Sequence, residues 1–136
     1  RIKVEVDGEE IFDGRGLVFV GNISRYAVGL HILRCADYSD GLLDVCIYKC
    51  SSRMHLIKHS VMTVLKRHAY GSDVIYRQGQ KIRVSSESAR VRSEIDGDPG
   101  GSLPAEIEVM PQAVNVMVLK GAKPAGVRTQ LRRALG

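Results

Sequence analysis

Two short acidic runs hold the residues best suited to chemistry. The first is Asp37-Tyr38-Ser39-Asp40-Gly41-Leu42-Leu43-Asp44. Closely spaced carboxylates on a loop can take a hard cation, because Mg²⁺ and Ca²⁺ prefer oxygen donors and a loop also turns main-chain carbonyls outward. The second run is Glu94-Ile95-Asp96-Gly97-Asp98. Asp-Gly is a strong hairpin-turn signal. A carboxylate held at such a turn, here Asp98, can accept a hydroxyl proton or hold a metal-bound water. Phosphoryl transfer uses that kind of acceptor, since its catalysis is mostly positioning and electrostatics. The same spacing also fits solvated Asp-Gly turns that do no chemistry.

Other reactive residues fit chemistry less well. His55 and His59 have the i, i+4 spacing of a zinc pair on a helix, but the residues between them are Leu-Ile-Lys and no third ligand follows. Both are expected to face solvent. Cys35, Cys46 and Cys50 include no C-x-x-C pair, and they read as free, partly buried thiols in a reducing compartment. The chain has no G-x-G-x-x-G, no G-x-x-x-x-G-K-[ST] and no nucleophile elbow. It carries no phosphate cradle of its own.

The elements that position the acids are mostly strands. Residues 2–6 alternate apolar and charged before Asp7-Gly8, a hairpin signal. Gly16 to Gly21 is an apolar run of strand length, expected to be buried on both faces. Leu42 to Tyr48 forms a third strand. Ser51 and Ser52 can cap a helix. Apolar residues then recur at Met54, Ile57, Val61, Val64 and Leu65, leaving Lys58, Lys66 and Arg67 for solvent. The spacing predicts one amphipathic helix over about residues 53–68. Short strands are expected at 73–76, 81–85 and 90–95, then a loop over 96–101, then strands at 105–109 and 113–119. The order is not βαβα, so the fold class is mainly β: a β-sandwich with one helix.

At 136 residues, 44% hydrophobic and 26% charged, the chain suits one soluble domain with its own core. No apolar run approaches the roughly 18–20 residues of a membrane span. It opens in mid-alternation without Met, which suggests a piece of a longer protein. The net charge of +5 lies entirely in the tail, in Lys120, Lys123, Arg128, Arg132 and Arg133, because residues 1–119 balance 15 bases against 15 acids. Residues 1–119 are therefore read as the domain, and 120–136 as a flexible basic tail able to touch anionic lipid. Nucleic-acid binding is disfavoured: aromatics are only 5% and no recognition motif is present.

Taken in order, Val18-Phe19-Val20-Gly21-Asn22, Arg25-Tyr26, Ala36-Asp37, Asp40-Gly41-Leu42-Leu43-Asp44-Val45 and Ile95-Asp96-Gly97-Asp98-Pro99 resemble the C-terminal half of the diacylglycerol kinase catalytic family. That family includes bacterial lipid kinases and the sphingosine and ceramide kinases. The resemblance covers about residues 2–118. It implies the β-sandwich, C-terminal domain of a two-domain, ATP-dependent lipid kinase, inactive without an N-terminal nucleotide-binding domain that carries a Gly-Gly-Asp-Gly motif. It further implies Asp98 as proton acceptor with Asp96 as its acidic neighbour. Asp40 would be the side-chain ligand of Mg²⁺, with Asp37 and Leu42 contributing oxygens through main-chain carbonyls. ATP is then the co-substrate, a lipid at the membrane surface the acceptor, and the location cytoplasmic and peripheral to the membrane. A homodimer stays open. Three positions depart from the family pattern. Asp98 stands where a glutamate is usual, Ala27-Val28-Gly29 replaces a glycine cluster, and Cys35 replaces a proline. The alternative is a non-catalytic β-sandwich interaction module, peripheral to a membrane through its tail.

Overall fold

The computed structural model describes residues 1–24, 31–64, 72–115 and 117. Within them the chain is mainly β, with a single helix. Strands β1 (Ile2–Val6), β2 (Glu9–Gly14), β3 (Gly16–Gly21) and β4 (Leu43–Lys49) precede helix α1 (Arg53–Val64). Strands β5 (Val74–Gly79), β6 (Lys81–Ser85), β7 (Arg92–Ile95), β8 (Asp98–Ser102) and β9 (Ala105–Glu108) follow it. They build a four-stranded sheet ordered β2-β1-β6-β9, a three-stranded sheet ordered β3-β4-β5, and the β7–β8 hairpin, with antiparallel pairing throughout.

Period-two alternation explains how the two larger sheets meet. Side chains alternate faces along a strand. Leu43, Val45 and Ile47 of β4 therefore point one way, into a core with Val4, Val6, Ile82 and Val84 of the four-stranded sheet. The other face of β4 presents Cys46 and Tyr48 to Ile32 and Leu33 from the β3–β4 connection. β4 is thus the strand buried on both sides. β3 is not: its Leu17 is 41% exposed, contrary to the expectation for that apolar run. Its pairing explains this, because among the described strands β3 hydrogen-bonds to β4 alone.

The helix is also turned differently from the expectation. Met54, Ile57 and Val61, the stripe expected to seek the core, are 70%, 56% and 51% exposed. Buried instead are His59 and Thr63, so His59 does not face solvent. Polar anchors set the rotation. The imidazole of His59 stacks on Tyr48 with centroids 4.8 Å apart, and its Nε2 donates to the carbonyl of Lys49 at 3.1 Å. Thr63 Oγ1 donates to the His59 carbonyl and accepts from the Tyr48 hydroxyl. His55 Nδ1 meets Ser51 Oγ at 2.8 Å, and Ser52 Oγ caps the helix by accepting from the His55 N–H. Buried donors left without acceptors cost more than exposed methyl groups, so these bonds override the apolar periodicity.

Three further expectations meet the structure at the edges. The acidic stretch 96–101 is not a loop but a turn followed by β8. Strand β2 was not anticipated. Residues 113–115 are not strand. Residue 117 is not strand either; residues 116, 118 and 119 of that expected strand, the helix beyond Val64 and the tail 120–136 lie outside the described residues.

Burial on the Cys46–Tyr48 face of β4 has an alkaline consequence. Desolvation pushes the Cys46 thiol from 9.0 up to about 12. It likewise pushes the Tyr48 phenol from 10.0 up to about 12. Both groups keep their protons in the fold after the unfolded chain has begun to lose them. Their contribution to stability is therefore constant below about pH 9 and falls above it, by about 1.4 kcal/mol per pH unit for each titrating group. Urea midpoints taken from about pH 7 to about pH 11 should show that decline; a flat profile would mean these groups are not buried as described.

Candidate active site

The second acidic run forms the β7–β8 hairpin. Arg92, Ser93, Glu94 and Ile95 pair with Ser102, Gly101, Pro99 and Asp98, with a bulge between Ser93 and Glu94. The turn is the two-residue type that Asp-Gly favours, with positive φ at both Asp96 (52°) and Gly97 (97°). Gly97 is required there by its backbone, since a side-chain-bearing residue at that φ is strained. Gly100 is required by space: a Cβ would meet Ile95 Cγ1 and Ser93 Oγ at 2.8 Å. The hairpin therefore holds Asp96 at its tip and Asp98 one step into β8. Both carboxylates are exposed.

Beneath the hairpin lies a cavity of about 1260 Å³. Ile95 and Asp96 form part of its roof, Val18 and Val20 of β3 one wall, and Val84 and Ile107 of the four-stranded sheet the other. Ser51 and Ser52, just before α1, also reach it. Its charged lining residues are Arg1, Arg15, Arg92, Glu94, Asp96 and Glu106. Asp96 lines this space; Asp98 does not.

The first acidic run is a chain of side-chain-to-backbone turns. Asp37 Oδ1 accepts from the Ser39 N–H at 3.0 Å and from Ser39 Oγ at 2.6 Å. Asp40 Oδ1 accepts from the Leu42 N–H at 2.9 Å, and Gly41 follows with φ +73°. The donors present are hard oxygens, the kind Mg²⁺ prefers, with one or two carboxylates and main-chain carbonyls for the remainder. In donor chemistry the loop fits that ion. It is not a preformed carboxylate cage: no group of three or more His, Cys, Asp and Glu is assembled among the described residues. Nor is this loop part of the cavity lining that includes Asp96.

One site element escaped the sequence reading. Asp44 is completely buried. Its Oδ1 accepts from the Tyr76 hydroxyl at 2.5 Å, and both its oxygens accept from Gln78 Nε2 at 3.2 Å. The Tyr76 oxygen in turn accepts from the Cys35 N–H at 3.2 Å. Burial, and then the bond to Asp44, push the Tyr76 phenol far above its ordinary value. The network ties the start of the Asp37–Leu42 loop to β4 and β5. The signal was present in the sequence: an acid in the otherwise apolar run Leu43-Asp44-Val45-Cys46.

Residues 1–118 match the family model of the YegS C-terminal NAD kinase beta sandwich-like domain. The chain belongs to that family. Among curated proteins, this YegS-type domain is 33% identical over 116 residues to a diacylglycerol kinase of Mycobacterium tuberculosis, spanning 85% of this chain and 37% of the relative. It is 24% identical over 120 residues to a diacylglycerol kinase of Bacillus subtilis, spanning 88% of this chain and 39% of the relative. A crystal structure of a diacylglycerol kinase from Bacillus anthracis superposes with a TM-score of 0.63 at 21% identity, covering 81% of this chain and 38% of that one. The YegS-type domain therefore spans well under half the length of the relatives it matches. The Arg25-Tyr26 pair and Ala27-Val28-Gly29 that contributed to the resemblance lie outside the described residues. No helix among the described residues is long and apolar enough to cross a membrane.

Proposed function

We propose that this domain forms the acceptor-binding half of an ATP-dependent lipid kinase that phosphorylates the hydroxyl of diacylglycerol. The observation that carries the reading is the apolar cavity roofed by an acid-bearing hairpin. Its volume, about 1260 Å³, exceeds the roughly 300–1,000 Å³ of drug-sized sites and suits acyl chains. The relatives' shared name, diacylglycerol kinase, points to the same acceptor.

In this reading ATP is held by a preceding nucleotide-binding domain, and the reaction runs in the cleft between the two. Asp98 accepts the proton of the lipid hydroxyl as its oxygen attacks the γ-phosphorus. The new O–P bond forms as the bond to the β-phosphate oxygen breaks and ADP leaves. Asp96, on the cavity lining, sets the polar end of the acceptor beside that base. Asp40, with main-chain oxygens at Asp37 and Leu42, would hold Mg²⁺; the bound ion would supply positive charge that fixes this loop against the nucleotide-binding domain. Val18, Val20 and Ile107 exclude water from the acyl chains. ATP supply and three free thiols favour the cytoplasmic side of a membrane.

The test is reconstitution. The domain alone, given ATP, Mg²⁺ and diacylglycerol, is expected to show no lipid phosphorylation above background. Joined to the nucleotide-binding domain of its own gene, it is expected to turn over. Ile107→Trp, which fills the cavity, should raise KM for diacylglycerol about tenfold while leaving KM for ATP unchanged. Turnover by the isolated domain, or an unchanged lipid KM in Ile107→Trp, would reject the arrangement.

A further inference from the structure

The Tyr76 hydroxyl is held from two sides. It donates to Asp44 Oδ1 at 2.5 Å and accepts from the Cys35 N–H at 3.2 Å. Cys35 stands two residues before Asp37, and Asp44 two residues after Leu42. One phenol oxygen on β5 therefore joins the two stems of the Asp37–Leu42 loop. The pairing of β4 with β5 fixes where that oxygen lies, since Cys46 pairs with Tyr76 and Asp44 with Gln78. Gln78 Nε2 reaches both oxygens of Asp44 at 3.2 Å and keeps the buried carboxylate turned toward β5. Burial, and then the bond to Asp44, raise the phenol far above its ordinary value, so it remains a donor throughout the neutral range.

The bonds inside the loop are of another kind. Asp37 Oδ1 holds Ser39, and Asp40 Oδ1 holds the Leu42 N–H, each across two residues. The Asp40 N–H donates to the Asp37 carbonyl at 3.2 Å, which sets that carbonyl against Asp40. These bonds shape the turn. The stems, nine residues apart along the chain and joined through a single atom, set the turn on the sheet. Mg²⁺ demands near-ideal octahedral geometry, and a loop that must be ordered on binding loses affinity to that ordering.

We propose that Tyr76 is a positioning residue for the divalent cation of the Asp37–Leu42 loop, its hydroxyl holding both stems so that Asp40 and the main-chain oxygens at Asp37 and Leu42 are presented together. Tyr76 does not touch the ion; it acts through Cys35 and Asp44. The proposal rests on the cation reading of this loop given above. A network that only stabilises the fold predicts lost stability and nothing more. A positioning network predicts lost affinity in protein that is still folded.

Titration of the domain with Mg²⁺ tests it, followed through the amide signals of residues 37–42 at a temperature where every variant is folded. Tyr76→Phe is expected to raise the Kd for Mg²⁺ about tenfold or more, the usual effect of losing an outer partner of a metal site. Asp40→Asn keeps an oxygen for the Leu42 N–H but loses the charge, and should weaken binding at least as much. Gln78→Leu is the control. It too removes a buried bond to Asp44 but leaves the phenol bridge, so its melting temperature should fall while its Kd stays within about twofold of wild type. Equal affinity in Tyr76→Phe and wild type would overturn the proposal and leave the cation reading intact. So would an equal loss in Gln78→Leu, which would reduce the effect to lower stability. A wild-type loop that does not respond to Mg²⁺ would sink the proposal and the cation reading together. The expected pattern without lipid turnover in the complete protein would refute the kinase reading and leave this one standing.

Discussion

On the proposed kinase reading, Asp98→Asn in the complete protein is expected to lower kcat by about 10²–10⁴-fold, the usual range for removing a general base, with KM for ATP little changed. The substitution keeps size and polarity but cannot take a proton. The side chain is exposed on the first residue of β8, and the pairing of that residue with Ile95 is made by main chain, so the fold should be indifferent. Equal melting temperatures for wild type and Asp98→Asn are part of the expectation. Asp98→Glu is the informative companion. It restores the longer acid that the resemblance implies at this position, and it should retain or raise the rate if reach matters. Asp96→Asn should act differently, raising KM for the lipid, because Asp96 lines the cavity while Asp98 does not. A rate for Asp98→Asn within twofold of wild type, measured by single-turnover phosphate transfer, would transfer the base role elsewhere.

Asp44→Ala is expected to cost about 3 kcal/mol or more of folding stability. The carboxylate is fully buried and receives bonds from Tyr76 and Gln78. Removing it leaves both donors without their acceptor, each at about 1–3 kcal/mol, and opens a small void. For a chain of this size that corresponds to a melting temperature lower by about 10 °C. Tyr76→Phe keeps the volume and removes only the hydroxyl, so its cost should be smaller, about 1.5–3 kcal/mol. It also takes the acceptor from the Cys35 N–H. Hydrogen exchange at Cys35 should accelerate in Tyr76→Phe, together with the amides of the Asp37–Leu42 loop. If exchange there matches wild type, the network does not hold the loop.

Much of the sheet architecture was legible because its signals are local. Alternation marked β1, a short segment between turns marked β6, and the Asp-Gly pairs marked the turns at Asp7 and Asp96. β2 was missed: Glu9-Glu10-Ile11-Phe12-Asp13-Gly14 is acidic and ends in glycine, yet it pairs with β1, with a register shift between Val4 and Glu5 and Lys3 bridging Glu10. The helix was found, and its rotation was not. Periodicity reports which side chains share a face but not which face finds partners, and here His59 and Thr63 found Tyr48 and the Lys49 carbonyl. The candidate acids were all visible as sequence. The cavity was not, because its walls come from β3, β6, β9 and the hairpin, elements distant along the chain. The Asp44–Tyr76–Gln78 network was invisible for the same reason, since its register depends on the pairing of β4 with β5.

The four-stranded sheet ends on both sides in acid. Its outermost strands among the described residues are β2, with Glu9, Glu10 and Asp13, and β9, with Glu106 and Glu108. A strand edge is a template for another chain, and copies of this domain meeting rim to rim would oppose carboxylates. The arrangement is a guard against polymerisation that works through like charge. Concentrated salt screens such opposition, so the protein should stay dispersed in dilute buffer where high salt lets it associate.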